Sequence, residues 1–160
     1  MDKMIIVKPD ETVVSVDYEG YDSIHKAVDG LYEIFQNNVD LPVGFLGKVK
    51  TTFYCNEEFL CRDDEKFDKI NAFATLVSGL EIRGDIVILP QKETPDGIDC
   101  RGFEYLEEEN DGEIEEAFCE HWFAEDTIMR YISEHKDKLN ELHERYDNNK
   151  SKPMAIFLRD

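Results

Sequence analysis

Basic residues are scarce in this chain: 18 Lys and Arg stand against 37 Asp and Glu, a formal net charge of −19 over 160 residues. Binding nucleic acid by neutralising phosphates needs clustered Lys and Arg, so that class of function is disfavoured. Docking on an anionic membrane surface is disfavoured for the same reason. No apolar run approaches the length of a bilayer span, and the opening MDKMIIVKPD lacks a signal-peptide pattern. Cysteine is sparse as well: Cys55, Cys61, Cys100 and Cys119 form no C-x-x-C pair and match no common zinc module. The expectation is a reduced, cytoplasmic chain with four free thiols and no cofactor. Catalytic motifs are missing too. Gly79-x-x-x-x-Gly84 is not followed by Lys-Ser or Lys-Thr, as a phosphate loop would be, and no G-x-S-x-G occurs.

What is present is a core. Apolar residues make up 41% of the chain, enough to fold one ordinary domain or one domain with an appendage. Met4–Val7 and Thr12–Asp17 read as strands joined by a turn at Lys8-Pro9-Asp10-Glu11, hence a hairpin. Asp22 or Ser23 should cap a short helix carrying Ile24, Ala27 and Val28, and Gly30 should end it in the left-handed conformation. Leu31–Phe35 reads as a strand or a helical continuation, with Gly30 favouring the strand. Lys48–Cys55 is the clearest strand, rich in β-branched and aromatic residues. Asn56-Glu57-Glu58 follows as a polar turn, with Phe59–Cys61 as a short return strand. Phe67–Leu76 carries Phe67, Ile70, Phe73 and Ala74 at helical spacing, and Ile86–Leu89 reads as a strand ended by Pro90.

These elements predict an α+β fold over residues 3–90: a small mixed sheet with one or two helices on one face. Residues 91–112 read as an acidic connection. From Asp99 to Asp126 there are twelve acidic residues against Arg101 alone. Between Glu113 and Lys152 there is neither glycine nor proline, so residues 113–160 read as a helical C-terminal region packed on the first domain. Ile114, Phe118 and Trp122 suggest an early helix, and Ile128, Ile132, Leu139, Leu142 and Tyr146 make an apolar stripe whose one gap is His135. That stripe suits the sheet or a partner helix, and Met154–Leu158 suits a terminal edge strand.

The N-terminal half resembles a family of small bacterial and phage proteins designated only as domain of unknown function 3846. The MIIVKP opening, the Ile24–Gly30 helix, Cys55-Asn56-Glu57-Glu58, Asn71-Ala72-Phe73-Ala74-Thr75 and Gly84-Asp85-Ile86-Val87-Ile88 carry the resemblance. It implies a small α+β domain of the kind carried by mobile elements, with no established activity and no catalytic residues to transfer. The stretch Asn37–Gly47 departs from the family's compactness, and residues 91–160 lie outside the likeness.

Three functional readings follow, the first of them non-enzymatic. In the first, this is an acidic protein that binds another protein bearing a basic surface, as an accessory factor or a decoy imitating DNA. Glu104, Glu107, Glu108, Glu109, Asp111, Glu113, Glu115 and Glu116 would act electrostatically, and Phe118 and Trp122 would add apolar anchors. In the second, Asn56, Glu57, Glu58, Asn71 and Thr75 line a small-ligand or enzyme site where the Cys55 strand meets the Phe67–Leu76 helix. In the third, Ile128, Ile132, Leu139 and Leu142 form a homodimer seam. Cys119, His121 and Glu125 are the nearest thing to a metal set. Cys119 falls on the opposite side of a regular helix from the other two, which leaves His121 as a surface imidazole beside Trp122.

Overall fold

The computed structural model describes residues 2–44, 47–104 and 120–147. Six strands there form one sheet: β1 (Lys3–Val7), β2 (Val13–Asp17), β3 (Tyr32–Pro42), β4 (Lys48–Asn56), β5 (Ile86–Thr94) and β6 (Gly97–Cys100). The order is β2-β1-β5-β4-β3, with β6 beside β5. Four α-helices accompany it: α1 (Tyr21–Val28), α2 (Ala72–Ser78), α3 (Glu120–Glu134) and α4 (Lys136–Tyr146). The fold is therefore α+β, as expected. Every pairing among the described strands is antiparallel, so the sheet is not mixed. The β1–β2, β3–β4 and β5–β6 connections are hairpins, which make their strands antiparallel.

Helices cover both faces rather than one. Successive side chains of a strand point to opposite faces, so a strand buried on both sides must be apolar throughout. Ile5 and Val7 of β1, Phe53 and Cys55 of β4, and Ile86 and Ile88 of β5 meet Phe73, Ala124, Ile128, Ile132 and Leu139 from α2, α3 and α4. Met4, Ile6, Tyr54, Val87 and Leu89 face the other way and pack on Ile24 and Val28 of α1. The long helix α3 crosses from β2 over β1 to β3, the two sheet edges included. Its 15 residues give about 22 Å of helix, enough for the roughly 19 Å that five strands span. The eight residues of α1 cannot do the same, and part of the second face stays open.

The local corrections each have a physical cause. Gly20, not Asp22 or Ser23, precedes α1, and the Ser23 hydroxyl instead accepts from the Glu19 amide at 2.8 Å. Asp29 takes the left-handed position at the end of α1 (φ 61°), and Gly30 follows at φ 146°. The stretch Asn37–Pro42 extends β3, with register shifts before and after Gln36 that absorb the irregularity. Phe59–Cys61 forms a 3-10 turn and not a strand. The expected helix Phe67–Leu76 begins later, at Ala72: Glu65–Phe67 is another 3-10 turn, and Ile70 bridges to Arg83. Pro90 does not end β5. It lies between Ile88, the last residue paired to β1, and Gln91, the first paired to β6. A residue without an N–H is tolerated where one ladder neighbour gives way to the next. The boundary drawn at residue 90 thus falls inside β5, and the polar run Gln91–Asp99 is mostly the β5–β6 hairpin.

At the C-terminal end the long helix breaks at His135, whose backbone (φ −112°, ψ 21°) separates α3 from α4. His135 is half-buried and stacks on Tyr131 with ring centroids 4.1 Å apart. Ile128, Ile132 and Leu139 are buried against this chain's own sheet, so that seam is not free to form a homodimer. No described helix is long and apolar enough to cross a membrane.

Candidate partner-binding site

Glu107, Glu108, Glu109, Asp111, Glu113, Glu115, Glu116 and Phe118 lie outside the described residues, as do Ile114, Cys119 and Met154–Leu158. The two points where that acidic stretch joins the body are described, and they meet. Glu104, with its side chain exposed, ends the first; Glu120 opens α3 at the second. The Glu120 carboxylate receives the Arg101 guanidinium in a two-bond fork at 2.8 and 3.0 Å and also accepts from the Glu104 amide at 3.2 Å. The His121 amide donates to the Glu104 carbonyl at 3.2 Å. Upstream, the Lys3 and Phe103 backbones exchange hydrogen bonds of 2.8 and 2.7 Å, which ties the same strand of chain to β1. Glu120 holds the Arg101 guanidinium more firmly protonated than usual.

Beside this junction His121 is buried, not a surface imidazole. Its ring stands edge-on to half-buried Trp122, centroids 5.5 Å apart. Nδ1 lies 3.4 Å from the Ser15 hydroxyl and 3.8 Å from Glu125, and the Ser15 hydroxyl donates to the same carboxylate. Burial, helped by the nearby Lys3 ammonium, lowers the His121 pKa to about 4. The group is a neutral, packed link between α3 and β2. Among the described residues no set of three or more His, Cys, Asp and Glu is placed to hold a metal ion.

The residues expected to line a ligand site are in the interior or serve the backbone. Asn56, 1% exposed, donates from Nδ2 to the Val28 and Asp29 carbonyls and accepts from the Glu58 amide. Asn71, fully buried, donates to the Val7 and Gly84 carbonyls at 2.9 Å each and accepts from Ala74 as the cap of α2. Thr75 accepts from the Ile82 amide at 3.1 Å. Their polar atoms are committed to holding the chain together, which removes all three from the candidate site. Glu57 and Glu58 are exposed just beyond the end of β4.

Two features escaped the sequence reading. His143 of α4 lies between Asp147 (2.8 Å from Nδ1) and Glu11 (3.2 Å from Nε2), and Lys136 joins Glu11 at 2.9 Å. This network borders a cleft of about 530 Å³ also lined by Lys66 and Lys69, with its charges largely opposed to one another. Glu11 has φ 67°, a backbone angle that costs a non-glycine residue strain. The second is a tyrosine-lined cleft of about 220 Å³ on the open part of the sheet, between α1 and β6. Neither was visible in the sequence, since each joins residues separated by 60 or more positions through the β-hairpins and α4. No protein-family model, curated protein or solved structure matches this chain.

Proposed function

We propose that this protein acts by binding, not by catalysis, and that its partner is a protein with a basic face. The carrying observation is the junction of Arg101, Glu104 and Glu120, at which an acidic stretch leaves and rejoins the folded body. The carboxylates of that stretch are Glu107, Glu108, Glu109, Asp111, Glu113, Glu115 and Glu116. A surplus of like charge steers an oppositely charged protein and speeds its association at low salt. Trp122, half-buried next to the junction, adds an aromatic surface of the kind that anchors interfaces.

The test compares the protein with a variant in which those seven carboxylates become amides, each used to capture proteins from a lysate of its source cells. Capture that elutes between about 0.1 and 0.5 M NaCl from the parent, and is lost in the amide variant, is the expected result. Equal capture by both proteins overturns the proposal. Urea unfolding of the two shows that the comparison is between folded molecules.

A further inference from the structure

The cleft between α1 and β6 is walled largely by aromatic side chains. Three aromatic rings line it: Tyr21 from α1, Tyr32 from β3 and Tyr54 from β4. Tyr32 and Tyr54 meet edge to face, centroids 5.4 Å apart and planes at 86°. Tyr21 and Tyr32 are near parallel, 6.4 Å apart at 9°. The rings thus offer faces in two roughly perpendicular directions around one space. Ile34 and Ile98, 53% and 64% exposed, extend the apolar rim.

The polar groups lining the cleft carry one sign of charge. Asp99 supplies a carboxylate, which accepts from the Tyr21 hydroxyl and from the Cys100 amide. Among the described residues, no Lys, Arg or His lines the cleft. Lys92 faces Asp99 across the β5–β6 ladder but is exposed outside the lining, and His25 leans on Tyr32 at 4.6 Å from beyond it. Along one side, Thr52 and Gln91 both donate to the side-chain oxygen of exposed Asn37, at 2.8 and 2.5 Å. Burial raises the pKa of the Tyr32 phenol, so its ring stays neutral over the physiological range.

Ring faces carry negative electrostatic potential and attract cations within about 6 Å of their centroids. A carboxylate at the mouth and a body carrying −19 add to that attraction and oppose any anion. A bare metal ion or primary ammonium would keep its water and gain little from such walls. A cation sheathed in methyl groups loses little water and fits both the apolar and the electrostatic character of the space.

We propose that this cleft is a binding site for an alkylated ammonium group, boxed by Tyr21, Tyr32 and Tyr54 and held in register by Asp99. The site is separate from the acidic junction of Arg101, Glu104 and Glu120, and it stands or falls independently of the partner-binding proposal.

The experiment titrates choline into the full chain and follows the tyrosine ring resonances by NMR, with 3,3-dimethylbutanol as the neutral isostere. Saturable shifts of the Tyr21 and Tyr32 rings are expected, with the isostere at least about fivefold weaker. Tyr21 is 47% exposed, so Tyr21→Leu keeps the core intact and an apolar contact in place while removing the ring face. Tyr21→Leu and Asp99→Asn should each weaken choline and leave the isostere nearly unchanged. A peptide carrying trimethyllysine, set against its unmodified form, separates the sources: tighter binding than choline assigns the cation to a protein side chain, weaker binding to a free small molecule. Equal affinity for choline and the isostere, or no ring shifts with either cation, overturns the proposal.

Discussion

His121 shows how one residue's meaning depends on its surroundings. In sequence it sits four positions before Glu125 among acidic neighbours, which suggests an exposed, readily charged imidazole. In the fold it is 5% exposed and packed against Ser15 of β2. Burial lowers its pKa from 6.5 to about 4, against the pull of Glu125 at 3.8 Å and with Lys3 adding to the lowering. The unfolded chain therefore takes up a proton near pH 6.5 that the folded chain refuses until about pH 4. Above pH 6.5 the residue's contribution to stability is complete; as pH falls through 6.5 towards 4 it is progressively lost. One pKa unit corresponds to roughly 1.4 kcal/mol, which bounds the loss at about 3–4 kcal/mol. An NMR titration should find the His121 ring midpoint below pH 5. A midpoint at or above 6 would mean that the ring is solvated and that α3 does not seat on β2 as described.

At the scale of elements, α4 is held to the sheet layer by Arg83 as much as by Leu139. The Arg83 side chain is fully buried and paired to Glu81 at 3.1 Å. It donates to the Asp68 carbonyl and to the Tyr146 carbonyl at the end of α4, both at 2.7 Å. Asp147 completes the clasp by accepting from the Ile70 amide at 2.8 Å. Replacing Arg83 with Met takes the guanidinium away from the Glu81 carboxylate and from the Asp68 and Tyr146 carbonyls, a change that costs about 3 kcal/mol. Urea unfolding of Arg83→Met should show that loss, and a change under about 1 kcal/mol would mean that water replaces the guanidinium. None of this was legible in the sequence, because Arg83 joins segments far apart in the chain. The strands Met4–Val7, Lys48–Cys55 and Ile86–Leu89 were legible, since strands that carry the core are rich in apolar or β-branched residues. The stripe Ile128, Ile132, Leu139 was legible as a helix face. The start of α2 was not, because the apolar Phe67 and Ile70 keep a helical spacing while they serve a 3-10 turn and a bridge to Arg83.

For the molecule as a whole, charge is the property that the sequence declared most plainly, and the sites are what it concealed. The acidic stretch could be read by counting, whereas the tyrosine-lined cleft exists only after α1, β3, β4 and β6 are brought side by side. A charge of −19 also bears on stability. Folding gathers the carboxylates into a smaller volume, so their mutual repulsion opposes the compact state. The surface ion pairs offset this only weakly: Lys66–Asp29 and Arg130–Asp126 are about half exposed or more at each partner, and exposed pairs contribute little. Repulsion therefore dominates, and screening should favour the folded chain. Raising NaCl from about 10 mM to 300 mM shortens the screening length from roughly 30 Å to under 10 Å. The expected gain is about 1 kcal/mol, or ~3 °C in melting temperature for a chain of this size. Screening acts through ionic strength alone, so KCl should match NaCl and the gain should level off by about 0.3 M. A melting temperature that falls with salt would mean that the surface ion pairs outweigh the excess of carboxylates, and the acidic surface would then be part of what holds the fold rather than a load that the fold carries.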